Sequence, residues 1–450
     1  MERAKQQIIL FNQWTIRLEV EAYVADELRY SIDDQSGTAS NVRARNASDC
    51  QRIGMDCAAA RSAAGFEHGG LMFRYWSIAL VAAATMAASG APAQEPIPAE
   101  ELKVETTLKP GPNVFVASSG WAGAGTINIF SATDLSYKGN FPNGMQGQVA
   151  VGGAGTVGYT TSAYPKRIMR GPVEAVLERF DVSTLKSTRD IVILPKFAQS
   201  VAGHGMLQVS ADGGRVFVQN ATPATSVSVV DVKSGKLTTE IPIPGCWTIN
   251  LSEDGTRFST LCGDGRILTV KVGADGKSVG QAYSDKIFDA DKDPLFTHAQ
   301  RVGGDLVFVS YSGVFYRISD TGDVAKLLST YAFAEGIPGA WAPGGYEVMG
   351  YNAPSGVMFV AMHSGAKDGS HKNGSEEIWA VDLGKKSVLY RSVAKGLTHL
   401  TVSQDKMPVV FGTNSHGEGL YRFEVDPTAR FAAKLTHDVK LRNASYVLAP

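Results

Sequence analysis

Seven aspartates, each closing a short run of alternating apolar and polar residues, punctuate this chain at a nearly regular interval. The runs at 127–130, 176–180, 227–230 and 268–272 lead to Asp134, Asp181, Asp231 and Asp275, and those at 315–318, 378–381 and 420–425 lead to Asp320, Asp382 and Asp426. The steps between marks are 47, 50, 44, 45, 62 and 44 residues, the period at which one small sheet gives way to the next. The stretch 209–265 shows the unit most fully. Asp212-Gly213 and Ser234-Gly235 sit between β-branched runs, and their glycines accept the positive φ of a hairpin turn, so each pair joins antiparallel strands. At Leu251-Ser-Glu-Asp-Gly-Thr-Arg-Phe the pattern begins again.

These features predict an all-β chain: a seven-bladed β-propeller with four-stranded antiparallel blades over residues 113–441, the acidic mark falling at the end of each third strand. A pair of β-sandwiches would need no such period. The long step carries an insertion, His363-Ser-Gly-Ala-Lys-Asp-Gly-Ser-His-Lys-Asn-Gly, expected as an extended hairpin loop on one face. Closure of the ring is left with two candidates. Either residues 101–108 add an outer strand to the last blade, or residues 435–441 do so for the first, with 442–450 as a C-terminal tail.

Upstream the character changes. Residues 1–71 are rich in Arg, Ala, Asp and Ser with weak periodicity, and read as a poorly ordered leader ahead of an expected true start at Met72, a genuine leader or membrane anchor being the alternative. Residues 72–93 then read as a secretory signal: a basic opening, an apolar stretch too short for a membrane span, and Ala91-Pro-Ala93 as the cleavage site. Residues 94–112 form an N-terminal arm. The expected location is the periplasm, with 43 basic against 44 acidic residues removing any bulk electrostatic case for nucleic acid.

Of the four cysteines, Cys50 and Cys57 lie in the leader and lack the histidine partners of a metal site. Cys246 and Cys262 lie in the folded part. An oxidising compartment favours a disulfide between them, worth about 3 kcal/mol in the chain-entropy model; two buried free thiols are the alternative.

Catalytic signatures are sparse. Gly153-Ala-Gly-Thr-Val-Gly158 matches G-x-G-x-x-G, but strand and turn follow it where a dinucleotide site needs a helix N-terminus. Gly273-Ala-Asp-Gly-Lys-Ser lacks the first glycine of a phosphate loop and reads as a hairpin turn. No nucleophile elbow or H-E-x-x-H occurs. His363, His371 and Asp368 could approach a metal if the insertion folded back, though solvated loop residues explain them better. His204, His298 and His399 fall at matching places in their blades, where hydrogen bonds between blades are the expected role. Trp121, in a glycine-rich hairpin tip, is a candidate contact at a partner interface or ligand mouth. No catalytic, cofactor-binding or metal-ligating residue is assigned to this chain.

Several ordered blocks give a more specific indication: Arg167-Ile-Met-Arg-Gly, Val218-Gln-Asn-Ala-Thr-Pro-Ala-Thr-Ser, Gly245-Cys-Trp with Cys262-Gly-Asp-Gly, Trp341-Ala-Pro-Gly-Gly-Tyr, and Met362-His with Gly369-Ser-His-Lys and Glu377-Ile-Trp-Ala-Val-Asp. With these blocks the chain resembles the heavy subunit of the quinoprotein amine dehydrogenases. The resemblance implies a periplasmic assembly of two heavy and two light subunits that oxidises primary amines to aldehyde and ammonia. The tryptophan tryptophylquinone cofactor and catalytic base would belong to the cysteine-rich light subunit, and electrons would pass to a blue copper protein such as amicyanin or azurin. It further implies that Trp121 lines the substrate channel and that Cys246 and Cys262 form the heavy-subunit disulfide. Two departures, the small loop around Trp121 and Arg170-Gly-Pro-Val-Glu-Ala, leave amine preference open. A stand-alone periplasmic binding propeller without redox activity is the alternative.

Overall fold

The computed structural model describes residues 105–118, 123–199, 202–416 and 418–450. The leader, the export signal with its cleavage position, most of the N-terminal arm and Trp121 lie outside them. Among the described residues seven antiparallel sheets form, five of them from four consecutive strands in chain order. Blade 2 comprises Val149–Gly152, Val157–Pro165, Val173–Asp181 and Lys186–Ile193; blade 3, Leu207–Val209, Arg215–Asn220, Ser226–Asp231 and Lys236–Pro242. Blade 4 comprises Cys246–Leu251, Arg257–Cys262, Ile267–Val272 and Ser278–Tyr283; blade 5, Gln300–Val302, Asp305–Val309, Val314–Ser319 and Lys326–Ala332. Blade 7 comprises His399–Val402, Val409–Asn414, Gly419–Asp426 and Ala432–Lys440.

Two blades depart from this plan. Blade 1 takes Asn113–Ser118, Ala124–Ser131 and Tyr137–Met145 from the start of the propeller, and its innermost strand is Ala444–Leu448, paired with Asn113–Ser118. The ring therefore closes at its inner edge and from the C-terminal side. This corrects the closure expected from either end: the outer strand of blade 7 is Ala432–Lys440, which takes in residues 435–440, and the presumed tail at 442–450 holds the closing strand. Tyr446, fully buried on that strand, fixes the seam: its hydroxyl donates to the Val149 carbonyl at 2.7 Å and accepts from the Val149 N–H at 2.8 Å. Blade 6 has a broken inner strand, Ala342–Pro343 and Met349–Asn352, both pairing with Val357–His363; Ser375–Asp382 and Ser387–Leu397 complete it.

All seven acidic marks sit at the end of a third strand or within three residues beyond it, as expected, and the reason is local. At six of them the aspartate Oδ1 accepts a backbone N–H two or three residues on: from Ser136, Thr184, Ser234, Lys277, Lys385 and Thr428. The side chain thus closes the turn into the outer strand. Asp320 departs: it is 1% exposed and receives two bonds from Arg301, at 2.9 and 3.0 Å, and one from Ser259 at 2.9 Å. It ties blade 5 to blade 4.

Between blades, aromatic and branched residues of neighbouring sheets pack face to face. Phe141 stacks on Phe180 at 4.7 Å between blades 1 and 2, and Phe217 meets Phe258 edge-on between blades 3 and 4. Each such fully buried ring contributes about 2–3 kcal/mol. Outer strands such as Lys326–Ala332 are largely exposed.

Candidate functional site

In a four-stranded up-and-down blade, the connection leading into each inner strand and the hairpin between its second and third strands open on the same face. That face gathers the sequence blocks singled out above. The hairpins at 166–172, 221–225, 263–266 and 364–374 lie on it, as do the lead-in segments at 245 and 343–348. The insertion is a second-to-third hairpin, as expected, and the structure adds a short helical turn at Ser370–Lys372. Cys246 and Cys262 are direct partners on the first two strands of blade 4 and are bonded as a disulfide.

At the centre of this face the lead-in segments converge on Glu347, 5% exposed. Its Oε1 accepts the His204 backbone N–H at 2.6 Å and its Oε2 lies 2.5 Å from His204 Nδ1. His298 Nδ1 is 3.9 Å from Oε1, the His204 and His298 rings are 4.6 Å apart, and His399 stacks on Tyr346 at 5.4 Å. Blades 3, 5, 6 and 7 thus each send one group to one point. The break in blade 6 delivers the carboxylate. Gly344 and Gly345 let the chain cross there: a Cβ on Gly344 would meet His363 Cδ2 at 2.5 Å, and one on Gly345, at φ +128°, the Thr398 carbonyl at 2.5 Å. Glu347 then bridges to His399 in parallel register.

Burial penalises charge here. It opposes ionisation of Glu347, but the His204 and His298 charges and the His204 hydrogen bond outweigh it and hold the carboxyl below its usual range. Burial pushes the His298 and His399 imidazoles down to about 4, with Glu347 pulling the other way. Gln300 fixes the His298 tautomer. Its amide NH2 donates to the Met349 carbonyl at 3.2 Å and its oxygen accepts the Tyr351 N–H at 3.2 Å, so the same NH2, 2.7 Å from His298 Nε2, donates to that nitrogen. His298 therefore carries its proton on Nδ1, facing Glu347.

His204, His298 and Glu347 form the one group of three or more metal-ligand side chains among the described residues. His204 Nδ1 is committed to the carboxylate and His298 Nε2 to Gln300, while the protonated His298 Nδ1 faces Oε1 at 3.9 Å, so the cluster is a clasp between blades. A cavity of about 230 Å³ adjoins it, lined by His204, Gln208, Asn250, His298, Gln300 and Thr401 among others. The blade-to-blade role expected for the histidines holds for His204, which bonds Glu347. Glu347 itself carried no sequence signal beyond the preceding glycine pair.

The other candidates separate. His363 is buried with Nδ1 against the Ser364 carbonyl, while His371 stacks on Tyr311 at 4.1 Å; neither joins Asp368 in a ligand group. Gly153–Gly155 forms one helical turn with strand Val157–Pro165 following, and Gly273 to Gly276 closes a hairpin. Trp341 and Trp379, 5.5 Å apart, are held by their own bonds: Nε1 of Trp341 donates to the Pro338 carbonyl and Nε1 of Trp379 to Glu377, with Arg391 packed over both rings. They serve as blade packing.

The fold and its elaborated face define the class: a seven-bladed propeller whose irregular loops gather on one side. Among solved structures it is similar to the periplasmic gluconolactonase PpgL of Pseudomonas aeruginosa (TM-score 0.56, 16% identity, covering 75% of this chain and 99% of that one). It is similar too to a putative 6-phosphogluconolactonase of Bacteroides fragilis (TM-score 0.53, 12% identity, 78% and 99%). At such identities the likeness is one of fold.

Residues 128–438 match the family model for the methylamine dehydrogenase heavy chain, and the chain belongs to that family. The methylamine dehydrogenase heavy chain of Methylorubrum extorquens is 28% identical over 275 residues, 59% of this chain and 65% of the relative. That of Methylobacillus flagellatus is 24% identical over 306 residues, 66% and 75%. The match thus spans just under two thirds of the Methylorubrum protein. Among the described residues no helix is long and apolar enough to cross a membrane.

Proposed function

We propose that this chain is the heavy subunit of a periplasmic, tryptophan tryptophylquinone-dependent amine dehydrogenase that converts primary amines to aldehyde and ammonia. The observation that supports it most is the placement of the blocks resembling the family: those around 167–171, 218–226, 245–247 with 262–265, 341–346 and 362–372 all reach one face of the ring. A protein that only needed to fold would have no reason to collect them there. In this reading the face receives the light subunit, which carries the cofactor and the catalytic base. The heavy chain gives it a rigid floor, and Trp121 lines the channel by which amine arrives. Two heavy and two light chains assemble, and a blue copper protein takes the electrons.

Co-expression with a secreted, cysteine-rich chain of about a hundred residues, the small disulfide-dense class, tests this. Copurification together with amine-dependent dye reduction supports the reading. A monomeric, inactive product that retains no such chain overturns it in favour of a stand-alone binding propeller.

A further inference from the structure

The hairpin between the second and third strands of blade 2 is built unlike a solvent-facing turn. At its tip Ile168 is 83% and Met169 49% exposed, and Tyr164 and Val173 at its base are 42% and 41% exposed. Ile168 also holds φ +63°, a left-handed conformation that a β-branched side chain adopts at a steric cost. An isolated exposed apolar residue is ordinary. Four together, on a backbone that strains to display one of them, suit an interface.

The tip is ordered before anything binds. Lys166 N–H donates to Pro172 O at 3.0 Å, Arg167 N–H to Arg170 O at 3.0 Å and Ile168 N–H to Pro165 O at 3.1 Å. Below it, the Tyr164 hydroxyl donates to Glu178 Oε1 at 2.8 Å, while Oε2 of this buried carboxylate accepts from Thr160 at 3.2 Å and from Ser162. Such rooting lowers the ordering cost of docking. Lys166, Arg167 and Arg170 surround the apolar tip, and none forms an ion pair among the described residues. In a chain of net charge −1 this is a local cationic collar.

We infer that the hairpin is a docking element that seats Ile168 and Met169 in an apolar pocket, rimmed by carboxylates, on the light subunit. The inference rests on the heavy-subunit reading and deepens it. Charge complementarity favours an acidic rim, and the hairpin stands on the face where the family-like blocks gather.

The test uses the full chain co-expressed with its light subunit. Ile168→Asn relieves the backbone, since asparagine accepts the left-handed region, so the thermal midpoint of the heavy chain should hold or rise. Affinity for the light subunit should nonetheless fall about tenfold or more, as for loss of a central interface anchor. Arg167→Ala with Arg170→Ala should slow association and flatten its salt dependence. Undiminished affinity in Ile168→Asn and Ile168→Asp, while the wild type retains the light subunit and activity, overturns the docking role and leaves the heavy-subunit reading intact. So does a change confined to self-association of the heavy chain in sedimentation. A wild type that binds no light subunit overturns both.

Discussion

His204 and Glu347, 143 residues apart in sequence, meet through two hydrogen bonds at the axis of the ring, one from a ring nitrogen and one from the backbone. One carboxylate thereby holds blade 3 to blade 6, with the imidazoles of blades 5 and 7 beside it. Glu347→Ala should cost about 3–5 kcal/mol in urea denaturation, the range for breaking a buried ionic network by removing one partner. A loss below about 1 kcal/mol would show that the clasp is incidental.

The same cluster predicts acid sensitivity. His298 and His399 have native pKa values near 4, below their ordinary 6.5. The unfolded chain therefore takes up protons first as pH falls, and stability drops between about 6.5 and 4. Glu347, held below its ordinary 4.5, contributes fully above that value and loses its contribution at still lower pH. The thermal midpoint should decline on acidification from pH 7 to pH 4, and His298→Gln with His399→Gln should flatten that decline. An identical slope in the double variant would remove these imidazoles as its source.

Reduction of the Cys246–Cys262 bridge, which spans a sequence separation of 16, should lower stability by about 3 kcal/mol. Denaturation with and without dithiothreitol measures it, with Cys246→Ala/Cys262→Ala as the control that should ignore the reductant.

Tyr446→Phe removes both hydroxyl bonds at the seam and should cost about 1–3 kcal/mol, because the Val149 N–H and C=O are left buried without it. Hydrogen exchange should quicken first in blades 1 and 2. Uniform protection across the ring would contradict a seam located there.

On the proposed heavy-subunit reading, Trp121→Ala should shift selectivity among amines of different size more than turnover of the smallest. Unchanged selectivity would take Trp121 out of the channel.

How much of this was legible in the sequence follows from how each feature is encoded. The blades were countable because the turn after each third strand is closed by an aspartate side chain, a local device that leaves a local mark. The disulfide was expected from an oxidising compartment and the family resemblance; that its two cysteines face each other across one hairpin is what the structure adds. Glu347 was not. It stands in an irregular crossing with no period, and its partners come from three other blades. The closing strand escaped for a related reason: Ala444–Leu448 is an inner strand separated by the whole ring from the blade it completes, and a count of third strands passes over it.

That separation orders events in the cell. Ala444–Leu448 follows every other strand of the ring, so blades 2 to 7 can be complete while blade 1 still lacks its innermost strand and the circle stays open. A polypeptide arranged this way postpones its final locking until every other strand of the ring has been made.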